Sequence, residues 1–474
     1  MDAPDVGQTL QALRAHRPDL VADFSAAVPH ARAAVLTRLW GALWRERIVG
    51  TARLGGAAPP LFGPLVPTVV ADGVQYDDPG VLAAALGLHE RLRVELDNSV
   101  ANLALAMTAP PSPGDTLADA EQSIVDGHPL HPCCRTRIGM STLEVLAYAP
   151  EHHPVVRLRL VDVEPDRWRT AGTPMPPRLP VHPWQLPRAL ASGLVTDTGI
   201  DIPARPLMSL RTLEVGGGDW AGLHVKTAVE VQMTSAVRTL SAPAIHNGPL
   251  ASELVAALSR GTPGIHVLRE RSAGTVLSRD GEPQRSLGAV WRDAPPASAR
   301  VVPLALLPHR PDLLTPACFT ALVELMLPPL LGLLRLGVAL EAHGQNTLVE
   351  LDPAGRPVRL YYRDLGGIHV HPGRLAAAGH EMPPLTGALP TGDDDALRTK
   401  LLASAFATVL SSLVAALGDE RLWDHVAAVA RRHAGPADLA AVFADTWPVK
   451  ATTAMRLAAD PLTDRWCPVP NPLR

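Results

Sequence analysis

Apolar residues recur every three or four positions through LQALRAHRPDLVADF and ARAAVLTRLWGALWRERIV, and again through LAAALGLHERLRVELDNSVANLALAM. That is the period of amphipathic helices, so residues 1 to about 105 are expected to be mostly helical. A Pro/Gly-rich strand-and-turn region at 55–80 interrupts them, and TAPPSPGD (108–115) reads as a linker. From about 120 to 295 the pattern shortens to β-like runs with Pro/Gly punctuation, such as VVRLRLVDV (155–163) and LHVKTAVEV (223–231). APPASARVVP (294–303) reads as a second boundary. Beyond it the chain returns to helical periodicity in LRTKLLASAFATVLSSLVAAL and LWDHVAAVARRH, with one hairpin, TLVEL–DPAGRP–VRLYY. The expected layout is α+β: a helical N-terminal part (1–120), a β-rich middle (121–298) and a largely helical C-terminal part (299–474).

The run LMLPPLLGLLRLGVAL (325–340) is apolar but too short to span a bilayer, carries Arg335 and is interrupted by Pro328-Pro329. It is expected to be a buried helical segment. The N-terminus, MDAPDVGQTL, is acidic and lacks an apolar core, so no signal peptide is expected there. Over 474 residues the net charge is -4 and the charged fraction 19%, which leaves no electrostatic footprint for nucleic acid or an anionic membrane. Any bound anion must be held by a local site. Four cysteines with no CxxC pair fit a reduced, cytoplasmic protein. Lysine occurs only at 226, 400 and 450, while arginine supplies every other basic residue. In such a background a surviving lysine marks a place where a compact ammonium is needed and a planar guanidinium will not serve.

Candidate chemistry concentrates at the end of the apolar run. LEAHGQNTLVELDPAGRPVRLYYRDLGG (340–367) places Glu341, His343, Gln345 and Asn346 within six residues and Asp364 at the far end of the hairpin. A hairpin centred near Ala354-Gly355 sets position 346 roughly opposite 364. Asn346 and Asp364, with Glu341 delivered by the preceding helix, are then oxygen donors suited to a hard cation, Mg²⁺ shared with phosphates rather than caged Ca²⁺. The bland alternative is that these residues cap helix and strand ends. A histidine metal site using His343, His369 and His371 is unspecific, because HxH is a common strand pattern. GHPLHPCCRTRIG (127–139) alternates Arg135 and Arg137 on one face, which suits a phosphate or a carboxylate. Ser209, Arg211 and Thr212 in MSLRTLEV are all donors to anionic oxygens. In LHVKTAVEV the odd positions are mostly apolar and the even face carries Lys226, followed by Thr234, Ser235 and Arg238. There is no GxxxxGK[ST] and no strand-linked GxGxxG, and EVGGGDW (214–220) reads as a hairpin tip. Near the C-terminus WPVKATTAMRL supplies Lys450 and Arg456.

In order, GHPLHPCCRTRIG, HPWQ (182–185), SLRT, HVKTAVEVQMTSAVR, EAHGQN, YRDLGG, KATTAMRL and NPL resemble the IucA/IucC family of siderophore synthetases that work independently of nonribosomal peptide synthetases. The resemblance runs from about 120 to 474. It implies a cupped-hand architecture of thumb, fingers and palm. It also implies MgATP-dependent adenylation of a carboxylic acid such as citrate or a citrate derivative, followed by attack of an amine or alcohol. By that likeness Ser209, Arg211, Thr212, Lys226, Gln345, Asn346 and Arg137 are expected at ATP, and Asp364, Glu341 and Asn346 at Mg²⁺. His131, Arg238, His343, Lys450 and Arg456 are expected at the acyl substrate, with His343, Arg238 and Lys226 catalytic. The partners implied are small acids, amines and alcohols, and dimerisation is common in the family. Two departures stand out: Arg135 occupies a position where lysine is common, and the chain is shorter than the usual member. A kinase-like phosphotransferase echoes the HGQN…Asp spacing but lacks a Gly-rich loop ahead of its lysine. A non-catalytic binder of citrate-like iron chelates is the third class.

Overall fold

A computed structural model describes residues 2–110, 114–262, 264–461 and 463–474. The N-terminal periodicity becomes helices Val6–His16, Val21–Arg45 and Glu90–Ala106, the first opened by a capping box between Asp5 and Gln8. Their apolar stripes share one core, in which Leu13, Leu36, Leu39, Leu96 and Leu103 are fully enclosed. The strand hairpin Val69–Ala71/Val74–Tyr76 lies in the region read as strand and turn. Pro111–Pro113 of the expected linker lie outside the described residues.

The middle of the chain builds an eight-stranded antiparallel sheet. Its spatial order is 168–172, 270–277, 283–293, 223–227, 212–215, 195–206, 156–163, 178–181. One face packs a core of Val156, Leu158, Leu213, Val225 and Trp291. Period-2 alternation sends the intervening residues of four adjacent strands to the other face, where Glu214, His224, Arg292 and Glu270 form a cross-strand row. Thr212 stands beside Lys226 on that face, fixed by the hairpin whose tip is the Gly-rich EVGGGDW segment. The run read as one strand at 223–231 is two, Leu223–Thr227 and Val229–Met233. The second leaves the large sheet to join a three-stranded one with Ala236–Arg238 and Arg137–Ile138.

Between Asp293 and Arg300 the chain passes from the large sheet to a four-stranded one, ordered 265–267, 357–362, 347–351, 300–303. Behind it the C-terminal core is built on helix Pro316–Leu336, opened by a Thr315 cap with proline at its first position and closed by Gly337 at φ +98°. Pro328-Pro329 do not break this helix. Their neighbours Val323, Leu327, Leu330 and Leu331 are buried, and that packing outweighs the two missing N–H donors. The stretch 394–417 is a second long apolar helical segment with a π-helical centre, Leu402–Leu410. Both are long and apolar enough to cross a membrane by composition, and both bury most of that stretch within the fold. The C-terminal part also has more strand than one hairpin: Val338–Ala339 pairs with His369–Val370, and Thr446–Lys450 with Trp466–Pro470.

Candidate active site

The helix ending at Gly337 hands the chain to Val338–Ala339 and then to the EAHGQN loop, which is pinned on both sides. The Glu341 amide donates to the Tyr362 hydroxyl at 3.1 Å, and the Ala342 amide to Ser404 Oγ at 3.1 Å. Gly344 lies flat against the backbone of Ala305, where a Cβ would stand 2.8 Å from the Ala305 nitrogen, so no larger residue fits. The loop therefore has a fixed shape, and its side chains serve two clefts. Gln345 lines the first with Ser209, Thr212, Arg292, Arg363 and Asp364. Glu341 and His343 line the second with His128, Lys400, Lys450 and Trp466.

In the first cleft Asp364 sits at φ +72°, a left-handed conformation that a non-glycine residue rarely adopts and that functional sites tend to retain. Its carboxylate is bonded to Lys226 Nζ and lies 3.9 Å from Arg292 Nη1. Burial opposes its ionisation, but these two cations outweigh burial and hold the carboxyl well below its ordinary range. Arg292 is 3% exposed, and burial pushes its pKa down to about 10; its Nε has no hydrogen-bond partner. Arg211 donates one bond to the Thr239 carbonyl at 2.9 Å, and Arg238 is tied to Thr234 and the Met233 carbonyl. Burial depresses both, and the Arg238 charge lowers Arg211 further, to about 10. Among the described residues neither guanidinium has a carboxylate within ion-pair distance. Cations in excess of the acids around them favour an anion.

The structure divides the expected metal ligands. The hairpin register pairs Thr347 with Tyr362, so Asn346 faces Arg363, whose amide donates to the Asn346 carbonyl at 3.0 Å. A bulge between Glu350 and Leu351 accompanies this register. Asp364 falls one residue further and turns to Lys226. Buried Asn346 directs its amide back to the Glu341 carbonyl at 3.4 Å, and Glu341 lies in the second cleft, 3.6 Å from Lys400 and 3.8 Å from Lys450. Among the described residues no three His, Cys, Asp or Glu side chains converge as a metal site. His371 instead caps helix Pro372–Ala377.

Two arginines expected at ligands are committed internally. Arg137 and Arg135 do share one face, but both turn to buried Glu151, at 3.9 and 3.3 Å. Glu151 is held down to about 2, the pair of guanidiniums outweighing its burial. Arg456 forms a two-pronged pair with Glu95 on helix Glu90–Ala106, each side chain 1% exposed, and donates to the Ser235 carbonyl at 2.7 Å. His131 is buried too: its Nδ1 accepts from the Cys133 amide and its Nε2 meets Ser235 Oγ at 2.7 Å. Lys450 lines the second cleft, 2.8 Å from Asp464. Residue-type reasoning missed Arg292, Arg363, Glu121, Asp464 and the role of Lys400. The scarcity of lysine was a usable signal for Lys400, since all three lysines stand at the two clefts.

The fold is an α+β scaffold with an arginine-rich cleft beside a mixed-charge one. The IucA / IucC family pattern matches residues 116–176 and 177–309, and a pattern described as a ferric iron reductase FhuF-like transporter matches 318–461. Over residues 116–309 the chain is thus similar to the IucA/IucC family. It is 26% identical over 317 residues to staphyloferrin A synthase of Staphylococcus aureus, covering 54% of this chain and 53% of that one. It is 28% identical over 380 residues to the rhizobactin siderophore biosynthesis protein RhbC of Rhizobium meliloti, covering 66% and 64%. The chain thus spans somewhat over half the length of these relatives. Its fold matches ATP-bound aerobactin synthetase IucA of Klebsiella pneumoniae with a TM-score of 0.76 at 20% identity, covering 93% of this chain and 99% of that one.

Proposed function

We propose that the chain is an ATP-dependent ligase of siderophore assembly. A carboxylic acid and ATP form an acyl adenylate with release of pyrophosphate. An amine or alcohol then attacks the acyl carbon, AMP leaves, and the nucleophile's proton is lost. The observation that carries this reading is the first cleft, where Arg292 and the Lys226–Asp364 pair stand with Ser209 and Thr212, Arg211 and Arg238 lie near enough to feel the Asp364 charge, and one loop leads to a second cleft. The names of the relatives, staphyloferrin A synthase and D-ornithine–citrate ligase among them, support the acid–amine class.

Adenylation asks for in-line positioning and neutralisation of charge on the phosphates and leaving pyrophosphate. Ser209, Thr212, Lys226 and the partly desolvated guanidiniums are preorganised donors for this, and they act most strongly where water is sparse. Asp364, the one carboxylate of the expected trio that opens on this cleft, would hold Mg²⁺ jointly with the triphosphate, a donor set typical of that ion, which supplies further charge shielding when bound. His343 has a definite protonation. Its Nδ1 accepts from the Gln345 amide at 3.3 Å, and burial pushes its pKa down, so the neutral ring carries its proton on Nε2. It is a hydrogen-bond donor to an acyl oxygen rather than a base. The four cysteines are free and buried, which fits a reducing cytoplasm.

The test is product analysis with purified protein, MgATP and hydroxylamine over a panel of carboxylic acids. AMP together with an acid-dependent hydroxamate is the expected result. ADP would replace this reading with phosphotransfer, and ATP binding without turnover on any acid would replace it with a binding protein.

A further inference from the structure

The two walls of the first cleft come from distant parts of the chain. One is the turn that leads into strand Thr212–Val215. It is closed by the Leu207 amide on the Thr212 carbonyl at 2.8 Å and the Thr212 amide on the Ser209 carbonyl at 2.9 Å. The other is the end of the hairpin 347–362, where the Arg363 amide and Nε donate to the Asn346 and Gln345 carbonyls at 3.0 and 3.1 Å. Glu121 joins them. Its Oε2 accepts from the Met208 amide at 2.9 Å, one residue before Ser209, and its Oε1 accepts from Arg363 Nη1 at 2.6 Å, one residue before Asp364. The carboxylate is 0% exposed and the guanidinium 4%. These partners are 87 and 242 residues away in sequence, so one side chain fastens the β-rich middle to the C-terminal part. Helix Leu117–Gln122, which carries Glu121, is itself seated on the first wall: Asp119 bonds Arg205, and Gln122 Nε2 donates to the Pro206 carbonyl at 2.8 Å.

A second tie crosses the same cleft nearer to solvent, from Lys226, 18% exposed, to Asp364, 29% exposed. Under the ligase reading that pair parts when nucleotide enters, because Lys226 turns to phosphate and Asp364 to the ion. The Glu121–Arg363 tie has no such exchange to make. Both Glu121 oxygens are already taken, and its charge is matched by Arg363, so it lines the cleft without repelling phosphate. It is the tie that stays closed while the outer one opens.

Resting on the reading of the first cleft as the nucleotide site, we propose that Glu121 is a positioning residue. It sets the spacing between the Ser209–Thr212 wall and the Asp364 wall, and so the fraction of molecules ready to take MgATP. The test is calorimetry of MgATP binding to the whole protein, each variant held at a temperature where circular dichroism shows it folded. Glu121→Gln keeps the shape, but its single carbonyl oxygen can serve only one of the two donors. It should raise the MgATP Kd by roughly ten-fold to a hundred-fold, the usual worth of a hydrogen bond to a charged group. Glu121→Asp keeps the charge and loses the reach, so it should weaken binding to the same extent. Asp438→Asn, which breaks the pairs of another buried carboxylate with Arg374 and Arg398 among residues that line neither cleft, should lower the thermal midpoint and leave that Kd unchanged. An unchanged Kd in both Glu121 variants, full rescue by Glu121→Asp, or the same rise in Asp438→Asn overturns the proposal. MgATP binding without AMP formation refutes the ligase alone, and no binding of MgATP by the unmodified protein refutes both.

Discussion

Arg456 offers a sharp test, because the structure assigns it to the scaffold and not to the substrate. Its guanidinium and the Glu95 carboxylate are each 1% exposed and meet at 2.8 Å through Nε, with a second bond through Nη2. At an effective dielectric of about 20 their attraction is about 6 kcal/mol, and desolvating two ions offsets most of it. Removing one partner leaves the other's penalty uncompensated, typically ~3–5 kcal/mol. After Arg456→Met, Glu95 keeps Gln232 at 2.9 Å and the half-exposed Arg91 at 3.2 Å, so the lower end, about 3 kcal/mol, applies. Glu95→Gln should cost at least as much, since Arg456 then retains only the Ser235 carbonyl as a strong acceptor. The double variant removes both charges and should recover about 3 kcal/mol of the summed loss. Hydrogen exchange is the suitable readout, because it reports local opening without assuming two-state unfolding of a chain with several cores. Amides of helix Glu90–Ala106 should lose protection by roughly a hundred-fold in each single variant, the equivalent of about 3 kcal/mol. Unchanged protection with a raised acid KM, or additive losses in the double variant, would refute the assignment and restore Arg456 to the substrate.

Lys226→Met and Asp364→Asn should each lower acid-dependent AMP formation by roughly 10²–10³-fold, as loss of a preorganised charge contact does, measured by nucleotide chromatography. Arg135→Lys should destabilise by ~1–3 kcal/mol in thermal or urea unfolding. One ammonium cannot replace bonds to the Val125 and Ile124 carbonyls and to Glu151. The Glu46 side chain is fully buried and accepts from the Ala454 amide at 2.7 Å, but burial still pushes its carboxyl up to about 7. The folded chain then binds the proton more tightly than the unfolded chain. The resulting stability is fully present below about pH 4.5, falls by about 3 kcal/mol as pH rises to 7, and is level above. Glu46→Gln should flatten that part of the profile of thermal midpoint against pH.

Helical periodicity at both ends and strand alternation in the middle were legible because each reflects one buried face, which local pattern records. The break at Ala228 was not, because the strand changes sheets there and one of its new neighbours, the strand holding Ile138, is far away in sequence. The site divides in the same way. The placement of Thr212 beside Lys226 follows from one hairpin around a Gly-rich tip, and the clustering of His343 with Gln345 from a single loop. Arg137 and Arg456 advertise charge but not its partner: Glu151 and Glu95 lie in segments with no motif, and only the tertiary fold brings them in. Asp364 was separable from Asn346 only with the hairpin register known to one residue, which alternation alone does not give.

The distribution of lysine has a practical corollary. Apart from the terminal amine, the protein's primary amines are Lys226, beside the first cleft, and Lys400 and Lys450, in the second. An acylating reagent that reads nothing but amine accessibility would therefore footprint the two clefts and little else. Protection of Lys226 by nucleotide, or of Lys450 by an acid or amine, could be followed peptide by peptide in a mass spectrometer without installing a probe. Coupling the protein to a surface through its lysines would place each bond at one of the two clefts.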